Sequence, residues 1–389
     1  MPLPAASFEF ATAARIRFGA GTRQELPIAA VSMGRRALVV TGSAANRAAE
    51  LTGALADAGM EIEPLVVDAE PTVAMIREGA SKARQANCDL VIAIGGGSVL
   101  DAGKALAALL AHVGDPLDYL EIIGRGQPLT KPSLPLIAAP TTAGTGSEVT
   151  RNAVLASPEH QVKASLRSAT MLPRLAIVDS ELTLSLPRSL TASTGLDALT
   201  QLIEPYVSAR ANPMTDMFCI DGIERGARAL PRAFRDGDDL EARTEMSWVS
   251  LLGGLALANA GLGAVHGFAA PLGGMFPIPH GAACAAVLPY AMDVNVRALR
   301  RRAPDGEALG RYGHIARILT GDGNATAEDG VEWVEQLCAT LEVPPLRVYG
   351  VTAAAIPALV ERAARSGSMK GNPIALEAAE MEEIVARAV

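Results

Sequence analysis

The sequence predicts an α/β N-terminal Rossmann-like parallel-sheet domain (residues 1–187) followed by an all-α C-terminal domain (188–389). Three observations predict it. Short apolar, β-branched runs alternate with helix-spaced segments as far as Leu186-Pro187, the pattern of a parallel sheet with crossover helices. From Ser189 onward the spacing is helical throughout, punctuated by Pro and Gly. A chain of 389 residues is also longer than one typical core accommodates.

Taken in order, Ala37–Thr41 reads as a strand and Ala44–Gly59 as a helix ending on glycine. Ile62–Val67 is the next strand, with Pro64 near its start, and Thr72–Ala86 the next helix. Leu90–Ile94 is a buried strand leading to a helix over Ser98–His112, and Leu134–Ala139 and Ala176–Asp179 read as further strands. In the second half the spacing predicts helices over Ser193–Ser208, Pro213–Leu230, Leu240–Leu262, a stretch from about Cys284, Asp305–Leu319, Ala327–Leu341, Ala353–Ser366 and Ala375–Ala388.

Composition excludes several function classes. The formal net charge is −8, which disfavours nucleic acid as a partner, because phosphate binding needs a basic excess. Met1–Gly21 lacks the basic start and apolar core of a secretory signal. Met246–Met292 contains no Asp, Glu, Lys or Arg, but Gly, Pro, Asn and His interrupt it. Its apolar stretch Trp248–Leu257 falls short of the about 20 residues a membrane span needs, so buried helices are expected and no membrane partner. The four cysteines, Cys88, Cys219, Cys284 and Cys338, show no paired spacing and read as reduced core residues of a cytoplasmic protein.

Two glycine-rich segments carry the first chemistry. In Gly95–Lys104 a buried strand runs into three glycines and a helix opens at Ser98. Glycine lets a ligand approach the main chain, and a helix start offers N–H groups and a positive dipole end to an anion. The spacing fits neither Gly-x-Gly-x-x-Gly nor a Walker loop. Pro140–Thr150, rich in hydroxyls and glycines, follows a strand directly, which is where such folds bind ligands. The charge-free run then holds His266 and His280, two of five histidines. Neutral imidazoles sheltered from water suit a metal or a reacting group, although two such histidines also occur in satisfied buried networks.

Together these segments resemble the iron-containing (group III) alcohol dehydrogenase family. Gly-Gly-Gly-Ser-x-x-Asp-x-x-Lys at Gly95–Lys104 and Pro-Thr-Thr-x-Gly-Thr-Gly-Ser-Glu-Val-Thr at Pro140–Thr150 look like its nucleotide-site motifs. Val162-Lys163, Ile177–Asp179, Leu182–Pro187, Thr194–Thr200 and the His266…His280 segment look like its later landmarks. The resemblance implies an NAD(P)-dependent dehydrogenase or reductase with its site in an interdomain cleft. It would act on a small alcohol, aldehyde or oxo acid and form a homodimer. It places the cofactor on Gly42, Gly96, Gly97, Ser98, Asp101, Thr141, Thr142, Thr145, Ser147 and Lys163.

The resemblance also implies a divalent metal, Fe²⁺ or Zn²⁺, held by Asp197, Gln201, His266 and His280. Here Gln201 stands where the family has its second ligand, a histidine, and Ala270 where it has a further histidine associated with proton handling. A glutamine oxygen is a weaker donor than imidazole to either ion. A second scheme has no ion: Gln201, His266 and His280 contact the substrate directly and a histidine serves as acid or base, as in the maleylacetate reductase branch. A lyase resembling dehydroquinate synthase and a nucleotide-binding relative without catalysis are the remaining alternatives. At Gly42 NAD-preferring relatives often carry an aspartate. Its absence permits NADPH, whose 2′-phosphate Ser43, Asn46 or Arg47 would contact.

Overall fold

The computed structural model describes residues 7–389, apart from 44, 161 and 185 and the side chains of 45–47. The chain forms two compact units. One comprises Ala11–Thr142 and Gly146–Ser185; the other is Leu186–Val389 joined by Ala143–Thr145 and the described residues up to Phe10.

In the α/β unit the strands are β1 (Ile16–Phe18), β2 (Arg36–Gly42), β3 (Glu61–Val67), β4 (Leu90–Gly95), β5 (Leu136–Pro140), β6 (Asn152–Ser157), β7 (Val162–Arg167) and β8 (Leu175–Val178). The helices are α1 (Leu26–Val31), α2 (Ala45–Asp57), α3 (Val73–Gln85), α4 (Gly97–Ala111) and the short α5 (Pro116–Tyr119). Six strands make one sheet in the order β1-β8-β5-β4-β2-β3, with every pairing parallel. Residues of β4 and β5 are buried throughout, as expected of strands covered by helices on both faces. Pro64 lies on β3, an edge strand, where a missing N–H is tolerated.

The strand order reverses at β2, so β2 and β4 are neighbours whose chains leave in opposite directions, with Thr41 opposite Ile94. A crevice outside the carboxyl ends of two such strands is the usual ligand position in an open α/β sheet. Gly42 ends β2 and Gly95 ends β4, so the two glycine positions singled out in the sequence flank this point.

Two features of this unit were not expected. β1 pairs with β8 at the far edge. Residues Asn152–Ser157 and Val162–Arg167 form a separate antiparallel ribbon, β6 with β7. The ribbon was illegible because its strands alternate buried and half-buried residues over only six positions each, with no strong apolar run.

The other unit is all helical: α6 (Arg188–Val207), α7 (Pro213–Arg235), α8 (Leu240–Ala260), α9 (Ala264–Met275), α10 (His280–Arg302), α11 (Glu307–Thr320), α12 (Ala327–Thr340), α13 (Ile356–Ala364) and α14 (Ala378–Ala388). Two boundaries matter for function. The charge-free run contains a helix, α9, that Gly and Pro271 concealed, and it bends 99° from α8. α10 begins at His280 rather than near Cys284, with Pro279 as its cap residue. Among the described residues no single helix is long and apolar enough to cross a membrane.

Candidate active site

In the α/β unit, Gly96 caps α4 in an extended conformation and Gly97 opens the helix; Val99 and Leu100 donate to Gly96 O, while the N–H groups of Gly97 and Ser98 precede the helix's first acceptor. A Cβ at Gly96 would lie 3.3 Å from the Thr142 methyl and 3.5 Å from its hydroxyl, so glycine lets the two ligand loops approach. Thr141 N–H donates to Gly95 O at 3.0 Å, joining the ends of β4 and β5. Gly96, Gly97, Ser98, Thr141 and Thr142 therefore cluster beside Gly42. Thr145 belongs to the compact unit of the helices.

The remaining predicted cofactor residues are engaged within the protein. Asp101 accepts from the Ser147 hydroxyl at 2.6 Å and from Val154 N–H at 2.9 Å, and faces Lys104 Nζ at 3.1 Å. It pins Ser147 and the β6–β7 ribbon to α4. Buried Lys104 also donates to the Thr150 hydroxyl at 2.8 Å. Burial pushes the neighbouring Glu148 carboxyl up to about 7, against the opposing pull of its own backbone N–H and of Lys104. Lys163 donates to Glu70 Oε1 at 2.5 Å. The side chains of Asn46 and Arg47 lie outside the described residues; Ser43 is exposed.

The helical unit gathers the second constellation. On α6, Asp197, Gln201 and Glu204 follow at spacings of four and three, so they share one face. His266 sits in the first turn of α9 and His280 is the first residue of α10. A Cβ at Gly281 would lie 2.7 Å from Ser193 O, so glycine lets the start of α10 approach α6 closely and brings His280 to Asp197.

Asp197 Oδ1 lies 3.3 Å from His266 Nε2 and 3.8 Å from His280 Nε2, and the imidazole centroids are 5.4 Å apart. Although near one another, Asp197 Oδ1 and His266 Nε2 are not aligned to share a hydrogen bond. Together with Gln201 Oε1 they are buried polar atoms with no hydrogen-bond partner among the described residues. Leaving such atoms unpaired costs about 1–3 kcal/mol each, so their convergence fits a cation. Cys284 completes the cluster: Asp197, His266, His280 and Cys284 each offer a donor atom within 4.8 Å of the others.

The electrostatics agree. Burial raises the Asp197 carboxyl, but the imidazoles of His280 and His266 outweigh it and hold the group below its ordinary value. Burial lowers His280, yet the Cys284 sulfur and the Asp197 carboxylate push it up to about 9. His266 is likewise raised, burial being outweighed by Cys284, Asp197 and Glu204. Surroundings that retain protons on two imidazoles also attract a divalent cation.

Three residues, Glu204, Asn372 and Cys284, were not singled out for this site in the sequence. Glu204 accepts from Val265 N–H at 2.7 Å through Oε1, and its Oε2 lies 2.7 Å from His266 Nδ1. With a cation bound in place of the second imidazole proton, the Glu204 contact would keep the remaining proton on Nδ1 and leave the Nε2 lone pair to the ion, the arrangement by which an outer carboxylate orients a ligand. Asn372 Oδ1 takes Ala264 N–H at 3.1 Å, so α9, which has no side-chain cap of its own, is capped from two distant segments. Asp197, Gln201 and Glu204 at i, i+4 and i+7 were a legible signal for Glu204. Cys284, one turn after His280, needed the true start of α10. Glu204→Gln keeps an acceptor for Val265 but gives His266 a neutral partner. Metal affinity should fall about 10–100-fold, read by titration of the metal-free protein.

The family model described as iron-containing alcohol dehydrogenase matches residues 13–180, and the Fe-containing alcohol dehydrogenase C-terminal model matches residues 191–389. The chain belongs to the iron-containing alcohol dehydrogenase family. This dehydrogenase is 38% identical over 309 residues to the 1,3-propanediol dehydrogenase of Klebsiella pneumoniae, covering 79% of this chain and 78% of that one. A crystal structure of 1,3-propanediol oxidoreductase superposes with a TM-score of 0.91 at 33% identity, over 99% of this chain and 100% of that one. Sulfoacetaldehyde reductase from Bifidobacterium kashiwanohense, solved in complex with NAD⁺, gives 0.86 at 29% identity, over 98% of each chain. The dehydrogenase is thus an NAD(P)-dependent oxidoreductase of CH–OH groups, and its family implies a divalent metal.

Proposed function

We propose that this protein reversibly oxidises a small alcohol, or reduces the matching aldehyde or oxo acid, with a divalent ion held by Asp197, His266 and His280. The observation that carries this reading is the convergence of unpartnered Asp197 Oδ1 and His266 Nε2 beside His280. When bound, the metal polarises the substrate oxygen as a Lewis acid while the nicotinamide accepts or returns the hydride.

The chain's own residues do the rest. Asp197 offsets the charge, and Glu204 holds His266 in the tautomer that leaves Nε2 free. The charge-free run Met246–Met292, which spans most of α8, all of α9 and the first half of α10, keeps the surroundings apolar, which strengthens each charge interaction. Gln201 Oε1, buried and unpartnered, accepts a hydrogen bond from the substrate hydroxyl. Ala270, one turn beyond His266, brings no proton-transfer group. The first turn of α4, Gly96–Ser98, and Thr141 and Thr142 receive the pyrophosphate.

Hydride transfer from NADH and NADPH to a panel of aldehydes and oxo acids, alongside metal analysis, tests the reading. Full turnover after complete metal removal would assign the chemistry to the imidazoles alone. Substrates with a second polar end are the first choice, since the relatives above are named for a diol and a sulfonated aldehyde. A homodimeric, cytoplasmic enzyme is part of the same proposal, supported by family likeness; light scattering checks the dimer.

We further propose that Gly42 admits NADPH. A Cβ at this position meets nothing nearer than the Val99 methyl at 3.7 Å, so a side chain fits. Gly42→Asp sets a carboxylate against the 2′-phosphate and should lower kcat/KM for NADPH at least about tenfold while sparing NADH. Equal losses with both cofactors would remove Gly42 from the selectivity.

A further inference from the structure

Cys284 is fully buried on α10, one turn beyond His280, with its Sγ 3.7 Å from His280 Nε2. A buried cysteine ordinarily serves as a small apolar residue. This one stands among donors that lack partners: Asp197 Oδ1 and His266 Nε2 are buried without a hydrogen bond, and all four donor atoms fall within 4.8 Å of one another. Bonds of about 2.0–2.1 Å to N and O and about 2.3 Å to S in a tetrahedron set donors roughly 3.3–3.8 Å apart. Three of the six separations are 3.3 Å for Asp197–His266, 3.8 Å for Asp197–His280 and 3.7 Å for His280–Cys284, and the other three lie within 4.8 Å.

We propose that Cys284, rather than Gln201, supplies the fourth protein donor, giving a two-nitrogen, one-oxygen, one-sulfur site that favours Zn²⁺ over Fe²⁺. The inference rests on the metal-assisted reading above and adds the identity of a ligand. Two physical reasons support it. A carboxylate and a thiolate together cancel the charge of a divalent ion within its own donor set, whereas Asp197 with neutral Gln201 leaves the second charge to Glu204, which lies behind His266. Thiolate is also a soft donor suited to zinc, while an amide oxygen is a hard one. Gln201 is then free for the substrate.

X-ray absorption of the full-length protein loaded with Zn²⁺, and the optical spectrum after loading with Co²⁺, test the assignment without turnover. We expect one Zn–S distance of about 2.3 Å and a thiolate-to-cobalt charge-transfer band. Both disappear in Cys284→Ser and Cys284→Ala and persist in Gln201→Ala. The Zn²⁺ dissociation constant of Cys284→Ser should rise at least about tenfold, since even outer carboxylates contribute that much. A shell of nitrogen and oxygen alone in the unmodified protein overturns the role of Cys284 and leaves the metal-assisted reading standing. Failure to bind either ion overturns both, and the unmodified protein decides this whether or not the variants fold.

Discussion

Asp197→Asn should lower kcat on the order of 10³–10⁴-fold, because Lewis-acid stabilisation of several kcal/mol is lost and each 1.36 kcal/mol is a factor of ten. In the proposed site Asp197 is the central donor: its Oδ1 lies 3.3 Å from His266 Nε2 and 3.8 Å from His280 Nε2, and it is buried on α6. The amide has nearly the same shape, so the fold should persist. A second readout separates ligand loss from a general defect. An ion present at 100 times its Kd stabilises by about 2.7 kcal/mol, which raises Tm by roughly 5–10 °C in a domain of about 200 residues. Chelation should therefore lower the Tm of the unmodified protein and leave that of Asp197→Asn unchanged. A variant that keeps both its metal-induced rise in Tm and its turnover would show that Asp197 is not a ligand.

Gly103→Ala should destabilise the α/β unit by about 2–3 kcal/mol, lowering its Tm by roughly 5–10 °C. Alanine is ordinarily the better helix former, so the sign comes from packing alone. The new Cβ would lie 2.6 Å from the Ala93 Cβ on β4 and 3.5 Å from Leu136 Cδ1 on β5. Neither the strand atom nor the helix backbone can withdraw without moving the start of α4, the proposed phosphate cradle. Cofactor affinity should fall with stability. Gly53→Ala on α2 is the control of opposite sign, since a Cβ there meets nothing within 4 Å. It should stabilise by about 0.5–1 kcal/mol. An unaltered Tm for Gly103→Ala would mean that α4 does not sit this close to the sheet.

Most of the parallel sheet was legible, because β2, β4, β5 and β8 are short buried runs whose burial leaves no polar alternation to confuse them. The β6–β7 ribbon was not, since half-buried six-residue strands carry little signal. Helix α9 was hidden for another reason. Its Gly and Pro content reads as loop, and the helix forms because Glu204 and Asn372 satisfy its first N–H groups from elsewhere in the chain.

By itself the sequence determined the order of elements, the two glycine-rich ligand loops, and Asp197, Gln201, His266 and His280 as one group. The order of elements follows from local spacing, where strand and helix periods act over a few residues; the role of the loops and the grouping of the four residues follow from the family resemblance their motifs carry. Only the tertiary structure decided which donors converge on the proposed metal site. Which buried atoms end without a partner is a property of three helices packed together, so no local pattern exposes it. Asp101 and Lys163 turned to Ser147 and Glu70, Glu204 emerged as the residue that orients His266, and the start of α10 at His280 carried Cys284 into the cluster.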